Sequence, residues 1–345
     1  MSSPKPSRRA GGRSSESSGS ASRRGSPSGG STSRRSRCKR AARNPATDGY
    51  ASSMPELAFA DVDDLQDALA HHSYLADRGL TTAVYLALSL GKPLLLEGEA
   101  GVGKTEVAKV LAELLDRRLI RLQCYEGIDA SQALYEWNYA RQLIAVRAMD
   151  ATDAEAHVED LFGPEFLVER PLLAAIRAGD EAVLLVDELD RADDEFEAFL
   201  LEILSEFAVT IPEIGRIGAL TPPAVLVTSN RTRELHDALK RRCLYHWIDH
   251  PDLDREVDIV RARAPHVGAA LARDVAQAVA RLRDLDLAKR PGVAETIDWA
   301  NALAFLGAEQ LDPGLARDTL GSVVKDHEDQ ELVFARLGEV VGEDG

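Results

Sequence analysis

The chain has 345 residues, 57 Asp and Glu against 41 Lys and Arg, and a formal net charge of −16. Its length exceeds one typical domain, so two folded domains plus a tail are expected, and the acidic balance argues against nucleic acid as the main partner. No run nears the ~20 apolar residues of a membrane span, no signal peptide is visible, and Cys38, Cys124 and Cys243 make neither a C-x-x-C pair nor an even framework. The expectation is a cytoplasmic protein without a disulfide scaffold.

Charge is unevenly spread. Residues 1–44 hold twelve Lys and Arg against one acid, Glu16, so the tail is about +11 and the remainder about −27. The tail is rich in Ser, Arg, Gly and Pro with almost nothing apolar, so it cannot bury a core and is expected to be disordered. Four readings stay open: a basic arm for nucleic acid or an anionic surface, a transit-peptide-like segment, a passive tail, or a start placed too early with translation beginning at Met54.

Helical periodicity begins at Asp61–Leu69 and returns over Arg78–Leu90. The apolar run Pro93–Leu96 reads as a strand. Directly after it, Gly98-Glu99-Ala100-Gly101-Val102-Gly103-Lys104-Thr105 has the spacing G-x-x-x-x-G-K-[ST]. Glycines let the backbone curl so that its N–H groups face a polyphosphate. Lys104 then reaches the β/γ-phosphates, Thr105 joins a Mg²⁺ shell, and the helix from Glu106 to Leu115 adds the positive end of its dipole. The segment is read as a site for a nucleoside triphosphate with Mg²⁺.

Leu119–Cys124 reads as a second strand, and Leu143–Asp160 is charged and helix-prone. Ala182–Asp187 is a continuous apolar run ending in acids, as in a parallel strand buried on both faces. In such a sheet ligands sit beyond the carboxyl ends of the strands. Asp187 is placed to hold Mg²⁺ through water and Glu188 to polarise the attacking water, against the alternative of a solvated acidic turn continued by Asp190, Asp193 and Asp194. A helix over Phe196–Phe207 and a hairpin over Val209–Leu220, with Glu213–Arg216 near its tip, follow. Ala224–Asn230 is another buried strand. Its last residue offers a donor and an acceptor to a water beside a γ-phosphate, against the alternative of an ordinary capping Asn.

Leu239–Cys243 precedes a final strand, Leu244–Ile248; an arginine here either reaches a neighbouring subunit's phosphate or belongs to a solvated basic patch. Cys243, His246 and His250 have ligand-like spacing. On a strand, however, residues three apart face opposite ways and residues four apart lie about 13 Å away, so no metal site is assigned. His71 and His72 read as a solvated pair. After Pro251 only helical patterns remain: Leu253–Arg263, Val267–Leu285, Val293–Leu306 and Leu315–Val324. The expected fold class is α/β, a parallel sheet flanked by helices, with a small all-helical lid. The expected division is a tail at 1–53, a P-loop core at 54–250 and a lid at 251–345.

Together these pieces resemble the AAA+ ATPases, and within them the MoxR family, from about Asp61 to about Glu331. Gly98–Thr105 resembles Walker A and Val183–Glu188 resembles Walker B. Asn230 matches the sensor 1 position and Arg242 the arginine finger, with Arg241 as the neighbouring alternative. The hairpin resembles the one before sensor 1, and 125–170 the family's helix-2 insert. Three strings, Leu122–Tyr139, Asp187–Phe199 and Lys289–Trp299, are similar to the CoxD-like branch.

The resemblance implies a hexameric ring with a von Willebrand factor A domain partner. It also implies a role as chaperone in maturing a molybdenum hydroxylase such as carbon monoxide dehydrogenase. The chain departs from the pattern at sensor 2: where many relatives carry an arginine directly after a proline, Pro291 is followed by Gly292, and the nearest arginine is Arg290. A DNA-directed motor shares the core and is the alternative, which would employ the basic tail.

Overall fold

The computed structural model describes residues 58–148 and 159–342, so expectations for the tail at 1–53 fall outside the described residues. The chain enters through α1 (Val62–His71) and α2 (Arg78–Leu90), each opened by an aspartate, Asp61 or Asp77, whose carboxylate accepts a first-turn N–H. Then come β1 (Leu94–Gly98), the phosphate loop, α3 (Lys104–Leu114) and β2 (Arg118–Gln123).

A smaller region follows: α4 (Ala130–Ala133), β3 (Tyr135–Trp137), α5 (Tyr139–Ala148) and β4 (Leu167–Glu169), with β3 and β4 pairing antiparallel. Of the helix-prone stretch Leu143–Asp160, residues 149–158 lie outside the described residues. The described part of that stretch is the end of α5 and a single 3₁₀ turn at Glu159–Phe162.

The chain returns through α6 (Pro171–Ala178), β5 (Ala182–Asp187), α7 (Asp194–Glu206), the hairpin β6 (Ala208–Ile211) and β7 (Gly215–Gly218), β8 (Ala224–Ser229), α8 (Asp237–Arg242) and β9 (Leu244–Ile248). The hairpin turns over Pro212–Ile214, so Arg216 lies on its second strand rather than at the tip, because Ile211 pairs with Gly215.

Five strands form one parallel sheet in the order β2-β5-β8-β1-β9. Alternation sorts its two faces. Leu95, Leu184, Val186, Val225 and Val227 join the apolar residues of α6 and α7 in one core, whereas Leu94, Leu96, Val183, Leu185 and Leu226 join those of α1, α2 and α3 in another. With both faces covered, β1 and β5 are buried at every position, which is why they read as unbroken apolar runs.

Beyond Pro251 come α9 (Leu253–Arg263), α10 (Ala269–Asp284), α11 (Val293–Phe305), α12 (Pro313–Thr319), α13 (His327–Ala335) and α14 (Leu337–Val341). They enclose a third core around Trp299, which is fully buried with its indole N–H donated to Thr319 Oγ1 at 2.7 Å. Neither α13 nor α14 was expected.

Candidate nucleotide site

The phosphate loop is compressed between β1 and α3. Gly103 caps α3 in the left-handed region at φ 96°, a conformation a side chain would strain. Gly98 packs so tightly on β9 that a Cβ there would overlap the Ile248 carbonyl oxygen. The turn therefore delivers Lys104 and Thr105 into the first turn of α3, where backbone N–H groups have no intrahelical acceptor. The buried Lys104 side chain reaches back across the loop, donating to the carbonyls of Gly98 at 2.8 Å and Glu99 at 2.6 Å. Burial lowers its pKa to about 8, against the opposing pull of Asp190, Asp187, Glu188 and Glu99.

Asp187 closes β5 and is 2% exposed. Thr105 Oγ1 and Thr228 Oγ1 donate to its Oδ1 at 3.0 and 2.6 Å, and Arg121 donates to its Oδ2 through Nε at 2.9 Å and Nη2 at 2.6 Å. The same Thr228 hydroxyl accepts the Glu188 N–H at 2.9 Å, so one side chain ties the end of β8 to both acids. Glu188 lies in the left-handed region at φ 54°, which turns its carboxylate out of line with the strand. That carboxylate is held by Gln123 Nε2 at 3.0 Å and Arg191 Nη1 at 3.1 Å.

Arg121 and Gln123 escaped the sequence reading. Their signal is the parallel register, which pairs Gln123 with Asp187 and puts Arg121 two residues earlier on the same face.

Lys104, Thr105, Asp187, Glu188 and Thr228 line one wall of a cleft of about 720 Å³, within the range of ligand pockets. Asn230, half-buried at the end of β8, lines it too. The opposite wall comes from Tyr74, the segment after β9, Arg255 and Arg263 of α9, and the first residues of α11. Arg255 is fixed by donating to Leu75 O at 2.8 Å and Arg263 by Glu106 at 2.8 Å. A curled loop, a buried ammonium and a Thr–Asp oxygen pair suit a triphosphate with Mg²⁺. Thr105 and Asp187 are the residues that would hold the metal, through hard oxygen ligands.

The remaining candidates lie elsewhere. Arg242 ends α8, exposed, beside the equally exposed Arg241; neither lines this cleft. Arg290 is exposed and also outside it. The three residues with ligand-like spacing go separate ways: Cys243 packs against the first core, His246 lies 4.0 Å from Asp77, and His250 contacts Glu99 at 3.2 Å. Burial pushes the Cys243 thiol up to about 12, disfavouring the thiolate a metal needs. His71 bonds its own helix at Asp67 O, and His72 bonds Glu113.

The fold is the P-loop AAA+ fold, and the proteins the chain is similar to include an enzyme that hydrolyses ATP. Residues 93–243 match the AAA domain (dynein-related subfamily). The gas vesicle ATPase GvpN1 of Halobacterium salinarum is 25% identical over 270 residues, 70% of this chain and 76% of that protein. An uncharacterized protein of Staphylococcus saprophyticus is 25% identical over 183 residues, 51% of this chain. The match spans 63% of that relative, less than two thirds of its length. Among solved structures, the Thermotoga maritima RuvB Holliday junction branch migration motor is 17% identical with a TM-score of 0.42, covering 73% of this chain and 68% of that one. Among the described residues no helix is long and apolar enough to cross a membrane.

Proposed function

We propose that the chain is a MoxR-like, ring-forming ATPase that converts hydrolysis of MgATP into remodelling of a client metalloenzyme. The observation that carries the hydrolytic half is the division of labour at the end of β5. Asp187 is fixed in place beside the loop by the Thr105 and Thr228 hydroxyls and by Arg121, and exchange of the Thr105 bond would free its Oδ1 for the metal's shell. Glu188 is turned aside and restrained by Gln123 and Arg191.

In this reading Lys104 and the loop N–H groups bind the β/γ-phosphates. Glu188 accepts a proton from the attacking water, and Asn230 holds that water in line. Mg²⁺, when bound, neutralises charge developing on the phosphate oxygens. Arg242, absent from its own subunit's cleft, serves the neighbour's. Residues 251–345 act as the lid over the nucleotide. Support for the client comes from the strings at 122–139, 187–199 and 289–299, similar to the CoxD-like branch. They favour maturation of a molybdenum hydroxylase with a von Willebrand factor A domain partner. The likeness to a gas vesicle ATPase supports the ATPase without specifying the cargo.

The test uses Glu188→Gln, which keeps the amide's hydrogen bonds but removes the base. It should bind MgATP normally and hydrolyse it about 10²–10⁴-fold more slowly. Tagged and captured with its complexes from the source cells, it should bring down a von Willebrand factor A protein with a molybdenum hydroxylase subunit. Recovery of DNA-processing proteins, or of the ring alone, would overturn the assignment of the client and leave the ATPase.

A further inference from the structure

The start of α11 is fastened to the phosphate loop by backbone alone. Two first-turn amides, of Val293 and Ala294, donate to one acceptor, the Gly101 carbonyl, at 3.1 and 3.3 Å. Such amides have no partner within their own helix and normally face water or a capping side chain. The approach is closer than side chains permit. A Cβ at Gly292 would lie 2.6 Å from Gly101 Cα and 2.7 Å from Ala100 O, and one at Gly101 would lie 2.9 Å from Gly292 Cα. Every one of those obstacles is main chain and cannot rotate away. Gly101 also sits at φ 78°. An arginine at 292 is thereby excluded on steric grounds, which accounts for the departure at the sensor 2 position. The exposed Arg290 lies outside the cleft.

The contact is braced from behind. Glu295 accepts the Gly292 N–H at 3.0 Å, Thr296 Oγ1 donates to Gly292 O at 3.1 Å, and Arg283 Nε donates to Pro291 O at 2.8 Å. Arg283 is itself clamped by Glu256 through two bonds of 2.7 Å, and Glu256 is 1% exposed. The glycine contact thus sits on a buried ionic network that joins α9, α10 and α11.

We infer that the Gly101 peptide is a latch through which the phosphate loop and the helical segment sense one another, replacing a sensor side chain. The reason is the geometry of one amide. In a planar trans peptide the C=O and the following N–H point in opposite directions. With the Gly101 carbonyl held by α11, the Val102 N–H is aimed away from that helix. Donors on the carbonyl polarise the group and strengthen its N–H as a donor, and an anion on the N–H strengthens the carbonyl as an acceptor. Phosphate in the loop and α11 on the loop therefore favour each other, and the coupling is reciprocal. The latch rests on the nucleotide reading of this cleft.

Amide hydrogen exchange on the wild-type full chain tests it directly, with residue-level readout at Val293 and Ala294, without nucleotide and with MgADP. Both amides should exchange slowly in the empty protein and slow further by about tenfold with MgADP, mid-range for a coupled pair of sites. A merely structural contact would protect them without responding to nucleotide. In parallel, Gly292→Ala should weaken MgADP binding by about the same factor, while Arg290→Ala leaves binding unchanged. Exchange at the free-chain rate, protection indifferent to MgADP, or loss of affinity in Arg290→Ala would each overturn the latch. Failure of the wild type to bind MgADP at all would instead overturn the nucleotide reading, and the exchange rates of the empty protein would still report whether the contact exists.

Discussion

Lys104 is caught between burial, which favours its neutral form, and four nearby acids, which favour the ammonium; burial wins and its pKa falls to about 8. The sign of the consequence follows. Below about 8 the empty protein already carries the charge that a triphosphate needs, so affinity is flat with pH. Above it a proton must be taken up on binding, and affinity falls by up to about tenfold per pH unit. Calorimetric titration with MgATP at pH 7, 8 and 9 measures this. Lys104→Met should bind weakly with no such slope, and a wild-type profile flat to pH 9 would refute the account. Stability of the empty protein runs the other way. Between about 8 and the ordinary 10.5 of lysine the unfolded chain binds more protons, so stability rises with pH across that window. Cys124, buried among Asp187, Asp190 and Glu188, is pushed up to about 12 and is no nucleophile.

At the level of elements, legibility followed burial and length. β5 was readable to the residue, and β1 and β8 nearly so, because strands covered on both faces have no polar alternation to confuse. The edge strand β9, only partly buried, was readable to the residue from its aromatic and apolar composition. β3 and β4 span three residues each, too few for any period to show. Helix α13 hid because its polar half, His327–Glu331, precedes its apolar half instead of alternating with it. In the site, the loop, Asp187 and Glu188 were legible from local spelling. Arg121 and Gln123 acquire meaning only from the strand register, and Gly292 only from the approach of α11. The brace behind Gly292 makes a stability prediction at this scale. Arg283 is 11% exposed and Glu256 1%, so Arg283→Ala would strand a buried carboxylate and cost about 3–5 kcal/mol. Urea unfolding monitored by circular dichroism reads the loss; a cost below about 1 kcal/mol would show that the pair is solvated in practice.

For the whole molecule the decisive question is whether one subunit completes another's site. The cleft is lined by Asp187, Glu188 and the buried Lys104 ammonium, yet Arg242 stands outside it. In a head-to-tail ring the face bearing α8 of one subunit meets a different face of the next, which would bring Arg242 to a foreign phosphate. Alone, Arg242→Ala should bind ATP but hydrolyse it about 10³-fold more slowly, and Lys104→Ala should fail at binding. Mixed in equal amounts and allowed to exchange subunits, the two variants should recover activity. Half the subunits retain a working cleft, and half of those have a neighbour with a working arginine. The mixture should therefore reach about a quarter of the wild-type rate whatever the number of subunits in the ring. Steady-state phosphate release on the mixture against each variant alone makes the comparison. Failure of the mixture to recover would place the arginine in cis, and full activity of Arg242→Ala on its own would remove it from the reaction. If Arg241→Ala behaves in this way and Arg242→Ala does not, the finger is the neighbouring residue.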